Sequence, residues 1–129
     1  MIVGVGIDAC EIARVRKALD RHGERFFLKI CSPEELQMCG DHDRAVFLAG
    51  RFAVKEAFSK VLDGAHGVRW HDVEVVRLPS GRPMLRLQDT AIERAQQFGV
   101  DTWHVSLSHD GGMAIAMVLG ERRSLEPTS

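Results

Sequence analysis

The feature that most constrains this chain is its longest helical pattern, which covers residues 43–62. Its apolar positions recur at helical spacing and form one stripe, made of Phe47, Val54, Phe58 and Val61. Gly64 follows as a C-terminal signal, and Gly50 on the same stripe weakens the helix by about 1 kcal/mol relative to Ala. The pattern predicts one long helix around which the remaining elements pack.

Short apolar segments predict the strands. Residues 1–7 (MIVGVGI) are rich in β-branched side chains and predict a buried strand that ends at Asp8. Residues 73–78 and 83–87 flank a Pro-Ser-Gly-Arg turn and predict a hairpin. Residues 102–108 and 113–119 predict a second hairpin, joined around Asp110-Gly111-Gly112.

Three shorter helices are also predicted. The first has apolar residues at Ile12 and Val15 and stops at Gly23. The second starts at Ser32, with Glu35 completing a capping box, and the third covers residues 90–98. Because strands and helices do not alternate regularly, we expect an α+β fold, with an antiparallel sheet packed around the long central helix. We expect a single domain over residues 1–120 and a tail over residues 121–129.

Composition excludes several classes of protein. The 129 residues are 45% hydrophobic and 27% charged, values typical of a globular domain rather than a disordered chain. No apolar run approaches the roughly 20 residues that span a bilayer, so we expect no membrane association. The formal net charge of -1 disfavours nucleic-acid binding. Three cysteines without a CxxC motif or a signal peptide predict reduced thiols in the cytoplasm.

Two carboxylates and a lysine could carry chemistry. Asp8 follows the first strand, where it could face a cleft, although Glu11 three residues later makes a helix N-cap the favoured interpretation. Glu56 and Lys60 stand four residues apart on the long helix, so they share a face. By spacing alone they are a surface ion pair. Alternatively, the carboxylate holds Mg²⁺ and the ammonium binds a diphosphate.

A row of polar residues lies on the strand before the glycine turn. Strand alternation places His104, Ser106 and Ser108 on one face and Val105 with Leu107 on the other. The polar face is either a solvated sheet surface or a set of donors for a phosphate. No nucleophile elbow surrounds either serine, which argues against a Ser-His-Asp hydrolase.

The first helix and its continuation are basic. Residues 11–30 contain six basic and three acidic side chains, in a chain whose total charge is -1. Arg14, Lys17 and Arg21 form one stripe at helical spacing. This stripe is either an ordinary solvated face or a docking surface for an acidic protein.

Three motifs together resemble a known family. They are Gly6-Ile7-Asp8, residues 47–60 (FLAGRFAVKEAFSK) and residues 104–109 (HVSLSH). In this order they resemble the bacterial holo-[acyl-carrier-protein] synthases, the small homotrimeric class of 4′-phosphopantetheinyl transferases. The resemblance implies transfer of the phosphopantetheine arm of coenzyme A to a serine of apo acyl carrier protein, with release of 3′,5′-ADP, in the service of fatty acid or polyketide synthesis.

The resemblance also implies roles for particular residues. Asp8 and Glu56 would bind Mg²⁺, with Mn²⁺ as a possible substitute, and Lys60 would lie at the diphosphate. Three residues would contact the nucleotide end of coenzyme A: Arg51, His104 and Ser106. His104 and Ser106 would do so across a subunit interface. The helix that carries Arg14, Lys17 and Arg21 would bind the carrier protein. We expect Glu56, or a metal-bound water beside it, to accept the serine proton.

Two other functions are compatible with parts of the pattern. One is a different Mg²⁺-dependent enzyme that cleaves a diphosphate, such as a nucleotide hydrolase. The other is a non-catalytic module that binds coenzyme A or a carrier protein, in which the carboxylates only cap and pair. Products formed from coenzyme A distinguish these alternatives from the transferase.

Overall fold

The computed structural model describes residues 1–64 and 66–124. In chain order the elements are β1 (Ile2–Glu11), α1 (Ile12–His22), α2 (Glu24–Ile30), α3 (Pro33–Cys39), α4 (Arg44–Val61), a 3₁₀ turn (Trp70–Asp72), β2 (Val73–Arg77), β3 (Pro83–Leu87), α5 (Asp89–Gln97), β4 (Thr102–Asp110) and β5 (Met113–Glu121). This is the α+β architecture that the sequence predicts, with α4 as the long helix.

Two antiparallel sheets are present among the described residues. The larger has the order β1-β5-β4, and the smaller is the β2-β3 hairpin. The turn between β4 and β5 consists of Gly111 and Gly112, both at positive φ, as a tight hairpin turn requires. Helix α4 lies against β1 and β5. Its buried residues Ala57 and Phe58 belong to one core cluster together with Ala116 and Val118 of β5.

Close approach between β1 and α4 depends on a glycine. A Cβ atom built on Gly6 would lie 1.9 Å from the carbonyl oxygen of Ala57, so no larger residue fits there without moving the backbone. The absence of a side chain at this position lets the strand lie directly on the helix. This contact sets the position of the next residue on the same strand face, Asp8.

The first strand corrects two expectations. It runs to Glu11 rather than ending at Asp8, and it is not buried in the single chain, because Ile2, Val5 and Ile7 are 61%, 54% and 60% exposed. Helix α1 has Glu11 at its N-cap, without a side-chain cap hydrogen bond. The favoured interpretation of Asp8 as a helix cap is therefore wrong: pairing with β5 carries the strand three residues past Asp8.

Local signals elsewhere predicted their elements correctly. Ser32 and Glu35 form the complete capping box of α3, as predicted. Asp43 was not predicted as a cap, but it caps α4 by accepting from two backbone N–H groups. The larger sheet extends one residue into the predicted tail, since β5 ends at Glu121. Residues 125–129 of that tail lie outside the described residues.

Candidate active site

Asp8 and Lys60 meet where β1 crosses α4. Alternation along β1 turns Gly6 and Asp8 toward the helix, and Lys60 Nζ donates to Asp8 Oδ1 at 3.2 Å and to the carbonyl oxygen of Ile7 at 2.8 Å. The Asp8 side chain is 18% exposed, whereas that of Lys60 is 54% exposed. The ammonium therefore pairs across the fold with β1 rather than forming the predicted surface pair with Glu56.

Glu56 lies one helical turn before Lys60 and close enough to Asp8 for their charges to interact. Partial burial raises the pKa of the Glu56 carboxyl, and the negative charge of Asp8 raises it further, while Lys60 opposes the shift. The two carboxylates thus form a site with excess negative charge that a cation would relieve. Their hard oxygen atoms are the ligands that Mg²⁺ or Mn²⁺ prefers.

The carboxylates of Asp8 and Glu56 suit a metal ion that takes its remaining ligands from water and substrate. Among residues 1–64 and 66–124, no cluster of three or more His, Cys, Asp or Glu side chains could hold a metal ion. Asp8 and Glu56 are only two protein ligands, which is too few for a structural metal site. Two carboxylates do suffice for Mg²⁺, which usually keeps several waters and completes its shell with substrate phosphates.

A cavity of about 420 Å³ joins these carboxylates to the basic helix. Asp8, Glu56 and Arg14 line it, together with an apolar floor that consists of Val15, Phe26, Ile30, Leu48 and Phe52. Lys17 and Arg21 are exposed further along α1. A partner bound to this face of α1 would therefore lie beside the carboxylates.

Arg51 lines a second and larger cavity, of about 660 Å³. The residue is buried, its Nη2 donates to the carbonyl oxygen of Val75 at 3.3 Å, and its guanidinium lies 3.8 Å from the centre of the Phe47 ring. Its Nε is buried without a hydrogen-bond partner among the described residues. A buried donor of this kind is costly unless a ligand or water satisfies it, which fits an anion-binding cavity.

Four further charged or titratable residues line this cavity and were missed from the sequence: His42, Asp43, Arg77 and His109. A signal for His109 existed, because strand alternation puts it on the same face as Leu107, whose side chain packs against Gly50 of α4. The residues predicted as nucleotide contacts, His104 and Ser106, lie on the other face of the strand. No comparable local pattern marks Arg77, which reaches the cavity from the separate β2-β3 hairpin.

His104 and Ser106 lie on the outer face of the sheet, opposite the face that Leu107 and His109 turn toward α4. His104 Nε2 lies 2.9 Å from Glu121 Oε1, which also accepts from Arg123 Nε at 2.9 Å. Within one chain the structure therefore does not bring either residue into the cavity of Arg51. Any contact with the same ligand would have to come from a neighbouring chain.

The cysteines take no part in the candidate chemistry. Cys31 and Cys39 are buried, Cys10 is partly buried, and all three are free thiols. Burial raises the pKa of Cys31 to about 12 and, together with Asp8, raises that of Cys10. Thiols of this kind are poor nucleophiles at neutral pH.

Comparisons with known proteins identify the family. The family model of the 4′-phosphopantetheinyl transferase superfamily matches residues 4–118. A holo-[acyl-carrier-protein] synthase of Beutenbergia cavernae is 45% identical over 122 residues, which cover 95% of this chain and all of that protein. The Streptomyces coelicolor protein of the same name is 46% identical over 124 residues, covering 93% of this chain and 98% of its own.

Solved structures of holo-[acyl-carrier-protein] synthases have a fold similar to that of this chain. The Helicobacter pylori holo-[acyl-carrier-protein] synthase, in complex with coenzyme A, superposes with a TM-score of 0.80 at 34% identity, covering 91% of this chain and 99% of that one. The Neisseria meningitidis enzyme has a TM-score of 0.85 at 27% identity, with coverages of 95% and 100%. The fold, the paired carboxylates and the sequence similarity over nearly the full length lead to one conclusion: the chain belongs to the holo-[acyl-carrier-protein] synthase family of the 4′-phosphopantetheinyl transferase superfamily.

Proposed function

We propose that this chain transfers 4′-phosphopantetheine from coenzyme A to a serine of apo acyl carrier protein, in a Mg²⁺-dependent reaction that releases 3′,5′-ADP. The observation that carries the proposal is the meeting of Asp8, Glu56 and Lys60 in one place, with Arg14 on the wall of the same cavity. Relatives at 45–46% identity bear the name of this activity.

Charge neutralisation is the main task of this site. The serine oxygen attacks the phosphorus on the pantetheine side while the phosphate on the adenosine side leaves, so negative charge must be stabilised at both oxygens. Mg²⁺ or Mn²⁺ bound by Asp8 and Glu56 would supply Lewis-acid polarisation of the diphosphate oxygens. Lys60 holds the remaining negative charge with its ammonium, which already lies beside Asp8.

Glu56 is our candidate for the group that accepts the serine proton. In the metal-free chain, burial and the negative charge of Asp8 raise the pKa of its carboxyl, and its position beside Asp8 places a carboxylate oxygen where the serine proton leaves. In this arrangement Lys60 faces the oxygen atoms of the diphosphate. The Glu56 carboxylate lines the same cavity as Arg14.

The nucleotide end of coenzyme A is assigned to the cavity of Arg51. Arg51, Arg77 and His109 line this cavity and supply cationic or N–H groups for a phosphate. The Helicobacter pylori relative is named as a complex with coenzyme A. We propose that His104 and Ser106 contact the nucleotide from a neighbouring subunit, because both lie on the outer sheet face.

That outer face also supports the proposed assembly. Val5, Ile7, Ile115 and Met117 are each at least 40% exposed, and strand register places them side by side on one face of the sheet. A contiguous apolar patch of this kind is typical of a protein interface. We propose that it is the contact of a homotrimer, the assembly that the family resemblance implies, with each active site completed by an adjacent subunit.

The partner and location follow from the same features. We propose that the stripe of Arg14, Lys17 and Arg21 binds the acidic carrier protein, and that the enzyme works in the cytoplasm, where its three thiols would stay reduced. No helix in the described part of the chain is long and apolar enough to cross a membrane.

The test is incubation with apo carrier protein, coenzyme A and Mg²⁺, followed by intact-mass measurement. One added phosphopantetheine per carrier protein and equimolar 3′,5′-ADP are expected, and chelation of the metal should abolish both. Cleavage of coenzyme A without carrier protein would instead indicate a hydrolase. Metal-independent binding without 3′,5′-ADP would indicate a non-catalytic module. Carrier proteins of fatty acid and polyketide synthesis, assayed in parallel, identify the preferred acceptor.

A further inference from the structure

A buried ion pair lies beside the proposed active site. Lys55 immediately precedes Glu56 on α4, and its side chain is only 1% exposed. Its Nζ lies 2.7 Å from Oε1 of Glu35, whose side chain is fully buried. The capping box explains why Glu35 is present at the start of α3, but it does not explain why α4 places a lysine against it.

The ammonium of Lys55 ties α4 to three other segments. Besides Glu35 of α3, it donates to the carbonyl oxygen of Ile30 at the end of α2, at 2.8 Å, and to that of Trp70 in the 3₁₀ turn, at 3.0 Å. These three acceptors use all three N–H donors of the ammonium. One side chain therefore holds α4 at a defined depth and rotation against its surroundings.

Glu35, the acidic partner of Lys55, extends the hydrogen-bond network toward Arg51. Glu35 Oε2 accepts from the backbone N–H of Val75 at 3.2 Å, and the carbonyl oxygen of the same Val75 accepts from Arg51 Nη2 at 3.3 Å. Lys55 and Arg51 stand four residues apart on one face of α4. The network thus connects the strand and helix that carry the proposed nucleotide cavity.

Stability is a poor explanation for such an arrangement. Removing both ions from water costs free energy that their attraction often fails to recover, and well-packed apolar residues are frequently as stable. Fully satisfied, directional bonds instead hold their elements in one geometry. A small rotation of α4 would move Glu56 away from Asp8 and would move Arg51 within its cavity.

We infer that Lys55 and Glu35 are positioning residues for the transfer reaction, which set the rotation of α4 so that Glu56 meets Asp8 and Arg51 faces the nucleotide. The inference rests on the proposed function, since it takes Glu56 as a metal ligand and Arg51 as a nucleotide contact. Neither Lys55 nor Glu35 needs to touch the substrate.

The test is the double variant Lys55→Met/Glu35→Gln, which removes both charges and keeps similar volumes. Its matched control is Arg44→Met/Glu24→Gln, which removes an exposed ion pair with a 3.4 Å separation at the start of the same helix. Measurements are kcat, the KM for each substrate, and Mn²⁺ affinity by electron paramagnetic resonance in the presence of coenzyme A. All values are expressed per folded molecule, as determined by near-ultraviolet circular dichroism.

We expect kcat of the double variant to fall at least tenfold and Mn²⁺ affinity at least fivefold, with the KM for coenzyme A raised and that for carrier protein changed less than twofold. The control should match the wild type. Wild-type kcat and Mn²⁺ affinity in the folded double variant would overturn the inference. Absence of transfer and of Mn²⁺ binding in the wild type would instead overturn the proposed function.

If the double variant does not fold, Glu35→Gln alone decides the question. The glutamine keeps a side-chain oxygen that can accept from the backbone N–H of Val75. Lys55 keeps its two backbone acceptors, the carbonyl oxygens of Ile30 and Trp70. A reduced kcat and Mn²⁺ affinity per folded molecule would support the inference. Loss of activity only in proportion to the unfolded fraction would show that the pair serves stability, and would overturn it.

Discussion

The ammonium of Lys60 lies 3.2 Å from Asp8 Oδ1, although 52 residues separate the two in sequence. The ammonium therefore lies against a carboxylate that we assign to the metal. The four-residue spacing of Glu56 and Lys60 had instead predicted an ion pair between those two side chains. Lys60 and a divalent cation compete for the negative charge of Asp8. A bound diphosphate would bring further negative charge, and so would relieve that competition.

We expect Lys60→Ala to change catalysis and metal binding in opposite directions. The kcat should fall about 10²–10³-fold, because an electrostatic stabiliser of the transition state is lost. In the absence of coenzyme A, Mn²⁺ affinity should rise about two- to fivefold, the equivalent of a partly exposed ion pair of up to about 1 kcal/mol. Electron paramagnetic resonance measures the affinity, with Lys29→Ala, at an exposed position of α2, as control. Weaker Mn²⁺ binding would show that Lys60 supports the metal site.

Glu56→Gln should abolish most transfer yet stabilise the metal-free protein at neutral pH. Burial and Asp8 raise the folded-state pKa of this carboxyl, so the folded state prefers the protonated form. Stability from this group is then complete below the usual glutamate pKa and is lost as pH rises through the higher folded value. We expect Tm without metal to exceed that of the wild type by about 1–3 °C at pH 7.

The Tm difference should shrink as the pH falls through the raised folded-state pKa of Glu56, because the protonated glutamate then resembles the neutral glutamine. Thermal unfolding in a chelator, at several pH values and one protein concentration, checks this. A Tm difference that does not shrink as the pH falls would contradict an electrostatic origin. Near wild-type turnover of Glu56→Gln at saturating metal would remove Glu56 as proton acceptor.

Gly6→Ala should destabilise the fold and displace Asp8. The added Cβ would meet the carbonyl oxygen of Ala57 at 1.9 Å, a distance that only a backbone shift can relieve. We expect a loss of about 1–3 kcal/mol in the free energy of unfolding by urea, together with weaker Mn²⁺ binding. Gly4→Ala is the graded comparison, because its Cβ would lie 3.1 Å from the Val61 carbonyl oxygen. Equal effects of both substitutions would contradict the close-approach argument.

Arg14→Ala should impair use of the carrier protein specifically. Arg14 lines the cavity that contains Asp8 and Glu56, so its loss should raise the KM for carrier protein about five- to tenfold and leave the KM for coenzyme A within twofold. Arg16→Ala, on the same helix but paired with Asp43 at 3.0 Å, is the matched control. Higher salt should reduce the difference, since exposed charges are screened. Equal changes in both KM values would count against docking on this face.

Ile115→Asp should dissociate the assembly. Ile115 is 40% exposed on the outer face of the sheet, whereas Ile92 is 43% exposed on α5, outside that face. A charge inside an apolar interface is costly to bury, so Ile115→Asp should become monomeric and lose affinity for coenzyme A. Light scattering after gel filtration measures the mass. An unchanged oligomer, or the same dissociation in Ile92→Asp, would place the interface elsewhere.

Local patterns were sufficient for most of the architecture. Helical periodicity, the Ser32–Glu35 capping box and the Gly111-Gly112 turn act over a few residues, and their elements stand where they were predicted. The family resemblance rested on three short motifs and is confirmed by the matched relatives. The end of β1 was misplaced, because pairing with β5 overrode the cap signal that Asp8 and Glu11 present locally.

Side-chain partners across the fold could not be read from those patterns. The pairing of Lys60 with Asp8, the burial of Lys55 against Glu35 and the choice of His109 rather than His104 for the Arg51 cavity all depend on which faces meet. Both faces of β4 carry polar groups, so alternation predicts two sets of residues without saying which set α4 will cover. Short-range backbone preferences therefore determined the elements, whereas long-range packing decided the charges and donors that each site contains.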